Sequence, residues 1–206
     1  MGKSILIEDK SYTFSDYFEL AYPTKEIVAE FGYKFQLTKL ELPKQPVAEG
    51  SLNRLKEAFY RKLPHISINS EAARREFLVS PLLLELLDYI DFYIDIDYPL
   101  NVSDKLKGNI DYLIRSSQSL VVIEAKNADL ERGFSQLSVE LIALDKYLED
   151  NSALIYGTVT VGDIWRFGIL ERENKTVLKD IDAFLVPADL EDLCTVFMGI
   201  LKSPKP

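Results

Sequence analysis

Asp111, Glu124 and Lys126 are the residues whose types and spacing could do chemistry. They lie within residues 108–136, GNIDYLIRSSQSLVVIEAKNADLERGFSQ. Residues two apart on a strand share a face. Glu124 and Lys126 therefore leave the apolar run LVVIEAK on one side, and Val121, Ile123 and Ala125 on the other. A two-residue turn at Ser117 and Gln118 would set Asp111 directly across from Glu124. Facing carboxylates on a sheet repel each other. Partial burial raises that cost unless one is protonated or a cation sits between them. A metal site with a lysine beside it is the simplest physical account, and an exposed hairpin with scattered charges is the alternative. Ser-Ser-Gln-Ser lacks the Asn-Gly or Gly-X chemistry that specifies a two-residue turn, so the register is an expectation for the structure to decide.

The elements around this hairpin must position it. Upstream, SINSEAARREFLVSPLLLELLDYI is helical, with Ser70 as N-cap and Glu71 in the first turn, where the helix dipole favours an acid. Pro81 cannot sit comfortably inside a helix. Ser80 as a second N-cap would restart it, giving two stacked segments or one kinked helix. Residues 91–102, DFYIDIDYPLNV, alternate as a strand does. Tyr93, Asp95 and Asp97 share one face, expected at solvent or the sheet rim, with Asp95 or Asp97 able to join the site. Downstream, residues 128–149 form a helix with an apolar stripe of Phe134, Leu137, Leu141, Leu144 and Leu148, and Gln136 and Glu140 lie on its flank one turn apart. Two strands, SALIYGTVTV and the Trp165-containing IWRFGILE, follow. A C-terminal amphipathic helix then places Cys194, Phe197 and Met198 in the core or on a dimer face.

A strand aspartate, a short hairpin and a hydrophobic-Glu-x-Lys strand end together resemble the PD-(D/E)xK nuclease superfamily, the restriction-endonuclease-like fold. Two further strings in the same order are similar to the nuclease domain of type I restriction-enzyme motor subunits. SEAxxRxxLVxPxL resembles its first core helix, and GTVTVGDIWRF resembles its closing strands. The resemblance covers roughly residues 70–170. It implies an α/β fold with an αβββαβ core, a central mixed sheet flanked by helices, preceded by an N-terminal α+β extension over residues 1–50, with the nuclease-like domain at residues 51–206. It also implies that Asp111, Glu124 and the carbonyl of Ala125 hold Mg²⁺, or Mn²⁺ in its place, with Glu71 at the metal or its water and Glu76 as the second candidate for that role. Lys126 would act beside the attacking water, and Gln136 would position Lys126 or that water. The implied activity is in-line hydrolysis of DNA phosphodiester bonds leaving a 5′-phosphate, by a restriction- or repair-type endonuclease. The sequence departs from the family pattern in having Ile110 where the motif name has proline, and in lacking the motor domains. A noncatalytic nuclease-fold subunit, for interaction or DNA binding within a larger assembly, or a homodimer, is therefore the alternative expectation.

Composition limits these readings. The chain has 206 residues, 47% hydrophobic and 28% charged, enough for one sizeable core. No apolar run approaches the roughly 20 residues of a membrane-spanning helix, and the N-terminal residues lack a signal-peptide pattern; the expectation is a cytoplasmic protein with no membrane partner. One cysteine, Cys194, excludes an internal disulfide or a thiolate cluster. One histidine, His65, without a nucleophile motif, reads as structural. The net charge of -9 opposes nonspecific nucleic-acid binding, which uses a basic face. Charge is segregated, however. Arg54, Lys56, Arg61, Lys62, Arg74 and Arg75 precede the hairpin, and this stretch is either a solvated helix face or a phosphate-contacting one.

Overall fold

A computed structural model describes residues 4–48, 50–116, 120–125, 129–149 and 152–202. In chain order the elements are α1 (Phe14–Glu19), α2 (Thr24–Ala29), β1 (Lys34–Thr38), α3 (Asn53–Lys62), α4 (Glu71–Arg74), α5 (Ser80–Leu86), β2 (Tyr93–Ser103), β3 (Leu106–Arg115), β4 (Leu120–Ala125), α6 (Leu130–Tyr147), β5 (Leu154–Thr160), β6 (Ile164–Glu171), β7 (Thr176–Asp180), β8 (Phe184–Leu185) and α7 (Leu190–Lys202). A short 3-10 turn, Leu63–His65, follows α3, and a π-helical turn, Arg75–Val79, joins α4 to α5.

The strands form one mixed sheet in the order β1-β7-β6-β5-β4-β3-β2, with β8 added beside β6. β2, β3 and β4 form an antiparallel meander. The chain then crosses through α6 to β5, which lies parallel to β4. Helix, three meandering strands, helix and parallel strand is thus the observed order through the centre of the molecule. Apolar side chains leave both faces of the sheet, so both need cover. On one face Tyr112, Ile114, Val121, Ile123, Trp165 and Phe167 pack with residues of α3, α5 and α7. On the other, Leu113, Val122, Val159 and Leu170 pack with α6, α1 and α2. Cys194, Phe197 and Met198 belong to the first of these cores. Burial pushes the Cys194 thiol up to about 12, so it is no reactive thiolate at neutral pH. Trp165 is a packing residue: it is fully buried, donates from Nε1 to the Gly162 carbonyl at 2.9 Å, and meets Phe197 edge-on.

Residues 13–38 share in the second core. Phe14, Tyr17, Ile27 and Val28 pack over the outer side of α6, and β1 extends the sheet by pairing parallel to β7. Residues 39–48 have no regular structure, as expected for PKQPVAEG.

Helix α6 is therefore covered on two sides. Its apolar stripe faces the sheet as the spacing requires, but every residue from Gly133 to Leu144 is buried, Gln136 and Glu140 among them. Asp129 caps its N-terminus by accepting from the Glu131 and Arg132 amides, which satisfies donors that the first turn leaves open. The close seating of α6 depends on Gly157 and Gly168. A methyl group on Gly168 would lie 2.6 Å from Phe134 Cζ and 2.9 Å from the Leu178 carbonyl oxygen.

One local expectation is corrected. Ser80 does not cap a new helix: Val79 and Ser80 are both helical, and the chain runs on through the π turn with Pro81 near the start of α5. Proline lacks an N–H and its ring crowds the carbonyl four residues back. Widening the turn ahead of it removes the clash without breaking the helix.

Replacing Gly168 with alanine should lower stability by about 1–3 kcal/mol, since one of the opposing atoms is backbone and cannot swing away. Thermal unfolding should show a midpoint lower by about 2–4 °C per kcal/mol for a chain of this size; an unchanged midpoint would mean that α6 does not sit this tightly.

Candidate active site

The hairpin pairs in the expected register. The ladder between β3 and β4 runs from Arg115↔Leu120 to Tyr112↔Ile123 and ends there; one more step in the same register would set Asp111 across from Glu124. The turn residues Ser117 and Gln118, and Lys126, lie outside the described residues. Glu124 is wholly buried, at 0% exposure, while the Asp111 side chain is 15% exposed. Glu124 pairs with Val159 on β5, and Ala125 follows opposite Thr160. The exposed-hairpin alternative does not describe β4, which is a central strand.

The row of acids extends one strand further. On β2, Ile96 pairs with Tyr112 and Tyr98 with Ile110. Between them Asp97 falls opposite Asp111 but is skipped by the ladder, because its backbone adopts φ 52°. Aspartate is among the few residues that tolerate this conformation. Asp97, Asp111 and Glu124 thus lie on three adjacent strands, each just outside the paired positions of the β2–β3 or β3–β4 ladder. Asp95 is elsewhere, paired with Arg115 at the sheet edge.

Arg75 meets the first two of these acids. Its Nη2 lies 3.1 Å from Asp97 Oδ1 and its Nη1 3.5 Å from Asp111 Oδ1. Its Nε donates to Tyr112 Oη at 3.4 Å, and Ser80 Oγ lies 3.3 Å from the same oxygen. Burial alone would pull the Arg75 guanidinium below its ordinary pKa. The Tyr112 hydroxyl, Asp111 and Asp97 more than offset this and raise it, so the group is a permanent cation.

The neighbouring Arg74 donates to the Val161 carbonyl at 2.7 Å and pairs with Asp163. Two consecutive arginines therefore pin α4 to the β5–β6 turn on one side and to β2 and β3 on the other. Neither belongs to a solvated face. The exposed basic residues of this stretch are those of α3 and the turn into the 3-10 segment, such as Arg54, Arg61 and Lys62.

Glu71 opens α4 behind the Ser70 cap, which accepts from the Ala73 amide at 3.1 Å. It stands one helical turn before Arg75, hence on the same side of the helix. Glu71 is partly buried, whereas Glu76 is exposed.

Helical spacing turns one flank of α6 toward β3 and β4 and the other toward β6 and β7. The second flank carries Glu131 and Asp145, tied to Lys179, Arg166 and Arg172. The first carries Gln136 and Glu140. Gln136 Nε2 donates to Glu140 Oε1 at 2.9 Å. Gln136 Oε1 is buried and has no hydrogen-bond partner among the described residues, an arrangement that costs stability unless a donor reaches it.

The donors around the hairpin are all oxygens, which suits Mg²⁺. No group of three or more His, Cys, Asp or Glu side chains close enough to hold a metal occurs among the described residues. Mg²⁺ does not require one, since it is usually held by one or two carboxylates and completes its shell with water and substrate oxygens. Asp111, Glu124 and the Ala125 carbonyl are oxygen donors of that kind.

Sequence reasoning missed Arg75 as a partner of Asp111. The signal that could have found it is its position, one turn after Glu71, on the helix face that must approach the hairpin. No helix among the described residues is long and apolar enough to cross a membrane. Comparison with known proteins finds no matching family model, no matching curated protein and no matching solved structure.

Gln136→Glu should place a second carboxylate against buried Glu140. Mutual repulsion raises their proton affinity in the folded state. The folded protein then binds more protons than the unfolded chain, and stability falls as pH rises through that window. Denaturant unfolding should show a loss of about 3 kcal/mol at pH 8 that shrinks toward pH 5; a loss independent of pH would contradict the proximity of these two side chains.

Proposed function

We propose that this chain is a metal-dependent endonuclease of the PD-(D/E)xK kind, hydrolysing phosphodiester bonds in DNA. One observation carries the reading. The β3–β4 ladder runs from Arg115↔Leu120 to Tyr112↔Ile123, so one further step in the same register would set Asp111 across from Glu124, within a helix, three-strand meander, helix and parallel strand order. A core that merely needed to be stable would not bury Glu124 completely, because an ionised carboxylate is costly to remove from water.

Asp111, Glu124 and the Ala125 carbonyl would hold Mg²⁺, with Glu71 approaching from α4. When bound, the ion supplies a water of lowered pKa and offsets charge on the phosphodiester oxygens. The remaining work falls to the protein. Lys126 would orient the attacking water or receive developing negative charge. Gln136 Oε1 would be an acceptor for the Lys126 ammonium or for that water. The rigid seating of α6 on Gly157 and Gly168 keeps that acceptor in place, and α4 is held by Arg74 and Arg75.

The second reading is a noncatalytic nuclease-fold subunit of a restriction or repair assembly. The net charge of -9 favours it, since an isolated acidic protein competes poorly for phosphate backbones.

Supercoiled plasmid and single-stranded oligonucleotides, incubated with the protein and Mg²⁺ or Mn²⁺, separate the two. Cleavage should require the divalent ion and fall by about 100-fold or more in both Asp111→Asn and Glu124→Gln, as expected when several kcal/mol of charge stabilisation is lost. Cleavage that persists in both variants would remove the site assignment, and no cleavage of any substrate by the wild-type protein would favour the noncatalytic subunit.

A further inference from the structure

The acid row contains its own cation. The Arg75 guanidinium bridges Asp97 and Asp111, lies 5.0 Å from the centroid of the Tyr112 ring and is braced by the Tyr112 hydroxyl. The Arg75 side chain is only 21% exposed. Two carboxylates, one hydroxyl and one ring face thus converge on a single charged group. Such an arrangement compensates a cation fully, and it also compensates the acids.

We propose that Arg75 is the resident counter-ion of the acid row, and that a divalent cation and the guanidinium are alternative partners of the Asp111 carboxylate. The inference rests on the metal-dependent reading of the site. Without a divalent ion, Arg75 holds Asp111 and so lets the acids on β2 and β3 sit together. A divalent ion at Asp111 and Glu124 repels the guanidinium and takes over its role.

Arg75 has a place to go. Its shorter contact is with Asp97, not Asp111. Asp97 is turned out of the ladder by its positive φ, and its side chain is 58% exposed. The bond to Asp97 can therefore act as a pivot that keeps the guanidinium at the rim of the site. There its fork of donors is suited to meet a substrate phosphate oxygen. Arg75 also begins the π turn. Turns of this kind are frequent at functional sites and leave the backbone less tightly wound than an α-helix. Arg75 is thus a positioning residue for the acid row, and its effect is visible in metal binding before any reaction occurs.

Calorimetric titration of the full chain with Mn²⁺, for the wild type, Arg75→Gln and Arg75→Lys, tests this. Arg75→Gln should bind Mn²⁺ at least about 5-fold more tightly than the wild type, the lower end of ordinary coupling between two ligands. Its unfolding midpoint should be lower than wild type in EDTA and should rise more on adding Mn²⁺. Arg75→Lys should fall between, because one ammonium cannot bridge both carboxylates as a guanidinium does. This variant keeps the charge and carries the comparison if Arg75→Gln does not fold without metal. Adding Glu124→Gln to Arg75→Gln should abolish the gain, which locates the ion. Equal or weaker Mn²⁺ binding in both Arg75 variants would overturn the inference while leaving the metal site standing. No Mn²⁺ binding by the wild type or either variant would overturn the metal-dependent reading, and this inference with it.

Discussion

Like charges on neighbouring strands are the constraint around which this molecule is built. Asp97, Asp111 and Glu124 lie on the adjacent strands β2, β3 and β4, Asp97 at a step that its ladder skips and Asp111 and Glu124 one step beyond the last β3–β4 pair. Two carboxylates about 5 Å apart repel by roughly 3 kcal/mol at an effective dielectric of 20, a substantial share of the 5–15 kcal/mol by which a typical domain is stable. The fold tolerates this row because other elements bring compensation to it. Helix α4 brings Arg75 to Asp97 and Asp111. Residue Asp97 leaves the ladder through its backbone conformation, which relieves the register on β2. The π turn lets the chain pass Pro81 and still bring Arg75 and Ser80 to the Tyr112 hydroxyl on β3.

Rigidity on the opposite side comes from α6. Its inner stripe packs on Gly157 and Gly168, while α1 and α2 cover its outer side. A helix held between two layers cannot rotate to release polar groups to water. Gln136 and Glu140 are therefore fixed where they are, one flank toward the acid row, while Glu131 and Asp145 on the other flank engage Lys179 and Arg172. Residues 13–38 contribute to the site indirectly by this means: they carry none of the acids, but they decide that α6 is buried on both sides.

Much of this was legible from local patterns. The strand alternation and the spacing around Ser116 gave the β3–β4 register, and the Ser70 cap with Glu71 in the first turn followed from the preference of helix starts for such residues. The amphipathic spacing of the last helix placed Phe197 in the core or on a dimer face, and it lies in the core. What escaped were interactions between segments far apart in the chain. Arg75 looked like one more charge in a basic stretch, because nothing near it in sequence announces Asp97 or Asp111. Spacing placed Gln136 and Glu140 on a helix flank but did not show their complete burial, because α6 is also covered by helices more than a hundred residues earlier in the chain. Ser80-Pro81 looked like a helix start, because the π turn that accommodates proline has no sequence mark of its own.

On the proposed reading, Asp111 on β3 and Glu124 on β4 hold a divalent metal ion. Crystals of the wild-type protein soaked in Mn²⁺ and measured at the manganese absorption edge test it most directly. An anomalous peak within coordinating distance of both the Asp111 and Glu124 carboxylates is the predicted result. Anomalous density elsewhere, or none at this site while Arg75 still bridges Asp97 and Asp111, would contradict it.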